Sequence, residues 1–222
     1  FKDQATERGF LGRRKDALVS RACIIAILAA VLSLSTFAAS FLLVAPNPPG
    51  GSPHYGEVLL VSRSLHLLMF VLSFLLTLTC KSSLSSKLRP ALMEGLVIVL
   101  AFVGMVCAVL CTPTRSCKLL GHNFREVLPL NAYESDSDMI LYVDGLITAV
   151  HLALPIRWFV MTPLALGSIL VFVSVAFGLG SEEPVFNRCV NGMSLLFLVI
   201  AISLGKRFHE MDERKAFFDI IQ

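Results

Sequence analysis

Six blocks of apolar residues, each about 20 residues long, constrain the fold of this chain more than any other feature. A helix of that length matches the hydrocarbon core of a bilayer. Lipid cannot satisfy free backbone N–H and C=O groups, so each block is predicted to be helical. The blocks cover approximately residues 17–44, 57–80, 91–111, 139–156, 159–179 and 185–204. The predicted fold class is therefore all-α, a polytopic six-helix transmembrane bundle with an amphipathic cytosolic exit helix.

Composition agrees with a membrane protein. Of the 222 residues, 55% are hydrophobic and only 16% are charged, against about 25% charged residues in soluble domains. The net charge of +3 is too small to indicate a nucleic-acid partner. The expected partner is the lipid bilayer, and no cofactor is expected.

The chain divides into three predicted segments. Residues 1–16 form a basic cytosolic segment, 17–204 the transmembrane domain, and 205–222 an exit helix that begins a coiled coil or a linker to an effector domain. A turn at residues 47–51 ends the first block, and a long polar loop spans about 112–138. The first residue is Phe1, and the amphipathic pattern stops abruptly at Gln222, so we expect this to be a domain of a longer protein.

The positions of the basic residues predict the orientation, because cytosolic loops are enriched in Lys and Arg. With the N-terminus in the cytosol, fourteen of the 19 Lys and Arg residues lie inside and five outside. Both termini are therefore predicted to be cytosolic, and the plasma membrane is the default location. The five residues on the outer side are Arg63, Arg115, Lys118, Arg125 and Arg188.

A seam of small residues follows the first block at intervals of four and three residues. Small residues let helices approach closely in lipid. The seam therefore predicts either packing against helices of the same chain or the face of a homodimer. It consists of Ala22, Ala26, Ala29, Ser33, Thr36 and Ser40.

Ionisable residues inside spans are costly in lipid, so each needs a partner. Arg63 and Asp144 lie at similar depth below the outer surface and are a candidate pair; the alternative is that Arg63 extends outward to the membrane surface and Asp144 contacts water. On the inner side, Glu94 is predicted to bridge either to His151 or to one of two arginines, Arg21 and Arg157.

Two of the six cysteines, Cys111 and Cys117, flank the start of the long polar loop and are a candidate disulfide if that loop is extracytosolic. The other cysteines lie inside apolar blocks, where a buried reduced thiol is expected. The sequence contains no metal-type CxxC pair, no phosphate-binding loop and no nucleophile with a visible base. We therefore predict no catalytic activity in this segment.

The exit helix carries an apolar stripe of Leu204, Phe208, Met211 and Phe218. The stripe predicts a cytosolic coiled coil, and the alternative is an interfacial helix lying on anionic lipid. The charged stretch 205–207 with Glu210 and Arg214, and the stretches 142–145 and 151–158, resemble the membrane modules of class III nucleotidyl cyclases and of multi-pass protist receptors. This resemblance implies a dimeric anchor whose catalytic metal-binding aspartates would follow Gln222.

Three functions fit the sequence. The first is a membrane anchor or receptor module that couples the bundle to a cytosolic signalling domain of cyclase or PAS type. The second is a small proton- or ion-linked transporter or channel that uses Asp144, His151 and Glu94 as a polar path. The third is an intramembrane enzyme that acts on lipid, which requires a water-filled cavity with convergent acid and base groups.

Overall fold

In the computed structural model of the protein, residues 4–42, 52–128 and 135–221 are described, and every regular element in these ranges is helical. The predicted turn at 47–51 lies outside them, as do residues 129–134 of the predicted long loop. The helices are α1 Gln4–Leu42, α2 Tyr55–Lys81, α3 Leu84–Lys87, α4 Pro90–Leu110, α5 Pro113–Leu119, α6 Phe124–Val127, α7 Asp136–Ala153, α8 Trp158–Val173 and α9 Val185–Ile221. A π-helical segment, Ser174–Gly180, continues α8.

Within the described residues, five helices are long and apolar enough to cross a membrane: α1, α2, α4, α9, and α8 with its π-helical continuation. Their outward faces carry large apolar side chains, including Leu60, Phe197 and Leu32, each more than 60% exposed. Contiguous apolar surface of this kind is normal against lipid and rare against water. These helices are therefore those of an integral membrane protein.

The fourth predicted span corresponds to α7, and it is not among these five helices. α7 has 18 residues, about 27 Å of helix, and it carries Asp136, Asp138 and Asp144. Three acidic residues in so short a helix separate it from the other spans. The predicted count of six spans is thus not confirmed.

Helix α4 lies at the centre of the bundle. The α1–α2 pair packs against it on one side, and α7 and α8 pack against it on the other, with α9 covering α7 and α8. Met93, Val97 and Met105 of α4 are almost fully buried. At Gly167 of α8 a methyl group would lie only 2.6 Å from the Phe102 ring of α4, so glycine is needed for this close approach.

The two terminal helices are much longer than a bilayer requires. α1 has 39 residues and α9 has 37, which correspond to about 58 Å and 56 Å of helix. The hydrocarbon core is about 30 Å thick. Each helix therefore continues well beyond the membrane, and α9 passes through Gly205 without a break, as the sequence predicts.

Candidate functional site

The extensions of α1 and α9 pack against each other at one end of the bundle. We call residues 4–16 of α1 and 205–221 of α9 the stalk pair. The rings of Phe10 and Phe217 meet edge to face with centroids 5.5 Å apart. Arg14 Nη2 lies 3.1 Å from Glu213 Oε2, an ion pair without hydrogen-bond geometry. The guanidinium of Arg214 lies over the Phe10 ring at 5.0 Å. The chain thus leaves the bundle as two helices in contact.

Two carboxylates from other helices hold the N-terminus of α8. Glu94 of α4 accepts from the backbone N–H of Arg157 at 3.2 Å, and Glu210 of α9 accepts from the N–H of Trp158 at 2.7 Å. The first N–H groups of a helix have no partner within it, and its N-terminus favours negative charge. Both carboxylates are almost fully buried. They join α4 and the stalk pair to the same turn.

The Glu94 carboxylate also forms an ion pair with the Arg157 side chain. Glu94 Oε2 lies 2.7 Å from Nη2 and accepts from Nε at 2.8 Å. Of the partners predicted for Glu94, the structure therefore selects Arg157. His151 bonds instead to the Ile147 carbonyl through Nδ1 at 2.9 Å, and Arg21 donates to the Ala153 carbonyl at 3.3 Å.

The preceding helix, α7, is held at its C-terminus by cations. Lys206 of α9 is buried, and its Nζ donates to the carbonyls of His151 at 2.9 Å and Leu154 at 2.5 Å. Arg21 of α1 reaches the Ala153 carbonyl. The last carbonyls of a helix favour positive charge. The α7–α8 turn therefore has cationic side chains where α7 ends and carboxylates where α8 begins. Helix α9 supplies one of each, Lys206 and Glu210.

Sequence reasoning missed Lys206 and Glu210 as buried groups of the bundle. The sequence pattern assigns both to a charged exit helix outside the membrane. Their partners in the α7–α8 turn are backbone N–H and C=O groups, which nearly every residue carries, so no complementary side chain in α7 or α8 indicates them. One feature of the sequence indicates a shared environment for the two residues: Glu210 lies four residues after Lys206, so both are on the same face of a continuous helix.

The predicted pair of Arg63 and Asp144 is not formed. Arg63 donates to the Ser40 carbonyl at 2.7 Å and lies over the Phe41 ring of α1 at 3.8 Å. Asp144 accepts from Thr148 in its own helix at 3.2 Å. The two residues share a depth, but α2 packs on α1 and α4 while α7 packs on α4, α8 and α9. Equal depth does not make two helices neighbours.

The predicted polar path of the transporter hypothesis is not assembled either. Asp144, His151 and Glu94 each bond to a different partner. A cavity of about 420 Å³ runs between α1, α2, α4 and α7, but none of these three residues lines it. Its lining is mainly apolar, with His66 and a few hydroxyl groups as the polar exceptions. This cavity offers no chain of ionisable groups across the membrane.

The small-residue seam of α1 faces the interior of the bundle. Ala22, Ala26 and Ser33 are buried, and Ala29 and Thr36 line the cavity with them. Ser40, the last member, accepts from Arg63. Packing within the same chain therefore accounts for the seam, and the structure gives no support to a dimer through it.

The candidate disulfide between Cys111 and Cys117, both in the described part of the chain, is not formed. The Cys111 sulfur contacts the Ala108 carbonyl at 3.2 Å, and Cys117 is a free, buried thiol near the His122 carbonyl. Burial raises the pKa of the Cys117 thiol above its usual value of 9.0, and the neighbouring Lys118 opposes this only in part. The thiol is thus protonated at neutral pH.

At the opposite end of the bundle, Glu183 caps α7 at its N-terminus. Its Oε1 accepts from the Ser135 hydroxyl at 2.6 Å and from the Asp136 N–H at 2.9 Å. Arg115 is buried nearby and donates to the Val109 carbonyl at 3.0 Å. The sequence placed these residues in loops, and the loop contacts that bury them were not predictable from local pattern.

Potential metal ligands also gather at that opposite end. His54, Glu57 and His122 bring their ligand atoms within 4.8 Å of one another. No such group was predicted, because the two histidines are far apart in the sequence.

No protein-family model matches this chain, and neither a curated protein nor a solved structure matches it. The assignment of function therefore rests on the geometry of the chain's own residues.

Proposed function

We propose that this chain is a membrane anchor and receptor module that couples its bundle to a cytosolic signalling domain through the stalk pair. The single observation that carries the proposal is the attachment of the stalk to the bundle interior. Glu210 and Lys206 of α9 bind the two ends of the α7–α8 turn. A movement of α7 or α8 would therefore be transmitted to the helix that leaves the membrane.

A helix that only marked the end of a span would not need these contacts. Burying a lysine and a glutamate is costly unless each is fully partnered. Here each binds backbone groups of the same turn, and Glu210 also pairs with Arg214 at 2.9 Å. Such contacts fix the angle at which α9 leaves the bundle, and a fixed angle is what mechanical coupling requires.

The same proposal includes cytosolic termini and a sixth membrane span formed by α7. Leu141 and Leu152 of α7 are both more than two-thirds exposed, as expected for side chains that face lipid. With α7 as a span, six crossings return the chain to its starting side. The excess of Lys and Arg then puts the stalk pair in the cytosol. The plasma membrane is the proposed location.

The homodimer is proposed through the exit helix rather than through the first span. The predicted stripe of that helix is at least 40% exposed at each apolar position, whereas Ala22, Ala26 and Ser33 of the α1 seam are buried. A second copy of the same stripe would bury it in a coiled coil, as the resemblance to cyclase modules implies. Disulfide formation by a Met211→Cys variant in membranes, but not by an Arg207→Cys variant, tests this contact. The stripe consists of Leu204, Phe208, Met211 and Phe218.

The coupling is tested with a class III cyclase catalytic domain fused after Gln222 and assayed in membranes. Glu210→Gln removes the negative charge at the N-terminus of α8 and should change the activity of the attached domain several-fold. Asp212→Asn alters an exposed residue two positions away and should leave the activity unchanged. Equal activity of all three fusions, at equal expression, would contradict coupling through the stalk.

The same preparation separates an anchor from a transporter. Proteoliposomes containing the chain and a pH-sensitive dye should show no proton flux above protein-free vesicles. A flux that Asp144→Asn abolishes would replace the anchor proposal with transport. Transport would then have to use a conformation in which Asp144, His151 and Glu94 come together.

A further inference from the structure

A cluster of titratable groups lies at the end of the bundle opposite the stalk pair. His54 Nδ1 is 3.3 Å from Glu57 Oε2, and His122 Nε2 is 3.5 Å from the same oxygen. The two imidazole rings stack with centroids 4.3 Å apart. Three side chains from two separate segments thus place potential ligand atoms within 4.8 Å of one another.

We propose that His54, Glu57 and His122 form a binding site for Zn²⁺. This proposal does not depend on the signalling function, and it assigns a role to residues that the anchor does not use.

The spacing of the ligand atoms fits a metal as well as hydrogen bonds. The contact between His54 and Glu57 is a long hydrogen bond at 3.3 Å, since bonds between nitrogen and oxygen are usually 2.7–3.2 Å long. A tetrahedral Zn²⁺ with bonds of about 2.0–2.2 Å holds its ligand atoms roughly 3.4 Å apart. The observed 3.3 Å and 3.5 Å fit that separation.

The types of ligand select the class of ion, of which Zn²⁺ is the one we propose. Two imidazoles and a carboxylate suit zinc and other first-row transition metals, whereas Mg²⁺ and Ca²⁺ require mostly oxygen ligands. Three protein ligands leave one tetrahedral position for water. The side chains are partly exposed, Glu57 most of all at 63%, so the ion would exchange with solvent.

The segments that carry the ligands are rigid. His54 precedes α2 and Glu57 lies in its first turn, where Tyr55 and Val58 pack with Cys117 of α5 in a small separate core. His122 follows Gly121, which has φ 77°. This glycine occupies the left-handed position at which a helix ends, and the cap includes a bond from the His122 N–H to the Cys117 carbonyl at 3.1 Å. The backbone segments that carry the ligands are therefore fixed before any ion binds, and the exposed side chains of His54 and Glu57 can turn toward it.

Binding of an ion would fasten the beginning of α2 to the turn between α5 and α6. It would replace two weak contacts between exposed groups, which contribute little by themselves. The expected consequence is a higher unfolding temperature of the zinc-loaded protein, because an ion that binds only the folded state stabilises it.

The test uses the purified chain in detergent micelles, freed of metal with a chelator and then titrated with Zn²⁺ against a fluorescent zinc indicator. We expect one ion per chain, and we expect His54→Ala and His122→Ala each to weaken binding at least tenfold. His209→Ala is the matched control. His209 lies in the stalk pair, with its Nε2 3.4 Å from Glu213 Oε1, and it belongs to no group of three potential metal ligands among the described residues.

Thermal unfolding provides the second measurement. Zn²⁺ should raise the unfolding temperature of the wild type and of His209→Ala but not that of His122→Ala. The proposal is overturned if binding is not stoichiometric, or if His54→Ala and His122→Ala bind Zn²⁺ as tightly as the wild type. Equal loss in His209→Ala would also overturn it, since binding would then be dispersed over surface histidines.

Discussion

Neutralising Glu94 should destabilise the bundle more than any change to an exposed acidic residue. The Glu94→Gln substitution keeps the size of the side chain but removes the charge that Arg157 faces at 2.7 Å. The Glu94 side chain is 4% exposed and that of Arg157 is 14% exposed. Arg157 would then lie largely buried without an anion.

The magnitude follows from the surroundings of the pair. Removing one partner of a buried ion pair costs about 3–5 kcal/mol. The lower end applies here, because Arg157 retains some contact with solvent and the Gln amide oxygen can still accept from its backbone N–H. A loss of about 3 kcal/mol lowers the equilibrium constant for folding roughly 150-fold.

The assay is equilibrium unfolding of the purified protein in mixed micelles by increasing amounts of a denaturing detergent. Asp212→Asn is the control, since that side chain is 76% exposed and should change the free energy of unfolding by less than about 0.5 kcal/mol. A double-mutant cycle with Arg157→Gln should give a coupling energy above 1 kcal/mol. Additive effects, or a loss no larger than that of Asp212→Asn, would refute the reasoning.

Three further predictions concern close packing, a helix terminus and a thiol. Gly167→Ala should cost about 1–3 kcal/mol in the same unfolding assay, because its methyl group would meet the Phe102 ring at 2.6 Å, whereas Gly104→Ala has open space and should cost nothing. Lys206→Met should cost about 2 kcal/mol by leaving two buried carbonyls without a donor. Alkylation of Cys117 by iodoacetamide, followed by mass spectrometry, should be slow at pH 7.5. The alkylation rate should still rise above pH 9, because the raised pKa of the Cys117 thiol keeps the reactive thiolate scarce at lower pH. A rate that levels off below pH 9 would contradict this.

The helix positions were largely predictable from the boundaries between apolar and polar residues. The predicted span at 57–80 is α2 Tyr55–Lys81, and the one at 91–111 is α4 Pro90–Leu110. Lys81 marks the end of α2, and Pro90 marks the beginning of α4. The N-terminal part of α1 was predicted only as a basic segment, because its helix is supported by contacts with α9 that no local pattern shows.

The short helices α5 and α6 were missed for the same reason. They fall in the predicted polar loop, and their apolar residues are few. Cys117 and Val127 are buried against the first turns of α2, so these helices depend on tertiary packing rather than on their own periodicity.

The candidate site was predictable only where one side chain bonds to another. Three partners at the depth of Glu94 were predictable, His151, Arg21 and Arg157, because charged and polar groups at one depth can bond; the structure has Arg157. The contacts of Lys206 and Glu210 involve backbone groups, which the sequence does not distinguish. The Arg63–Asp144 pair was wrong because depth alone does not reveal which helices are neighbours.

The transcript that encodes this chain provides the most direct test of the anchor proposal. Sequencing it beyond the Gln222 codon should reveal an open reading frame that continues the stalk helix into a soluble signalling domain within about 50 codons, roughly 75 Å if the connection is helical. A stop codon shortly after Gln222 would contradict the account, because the stalk pair would then have no effector to move.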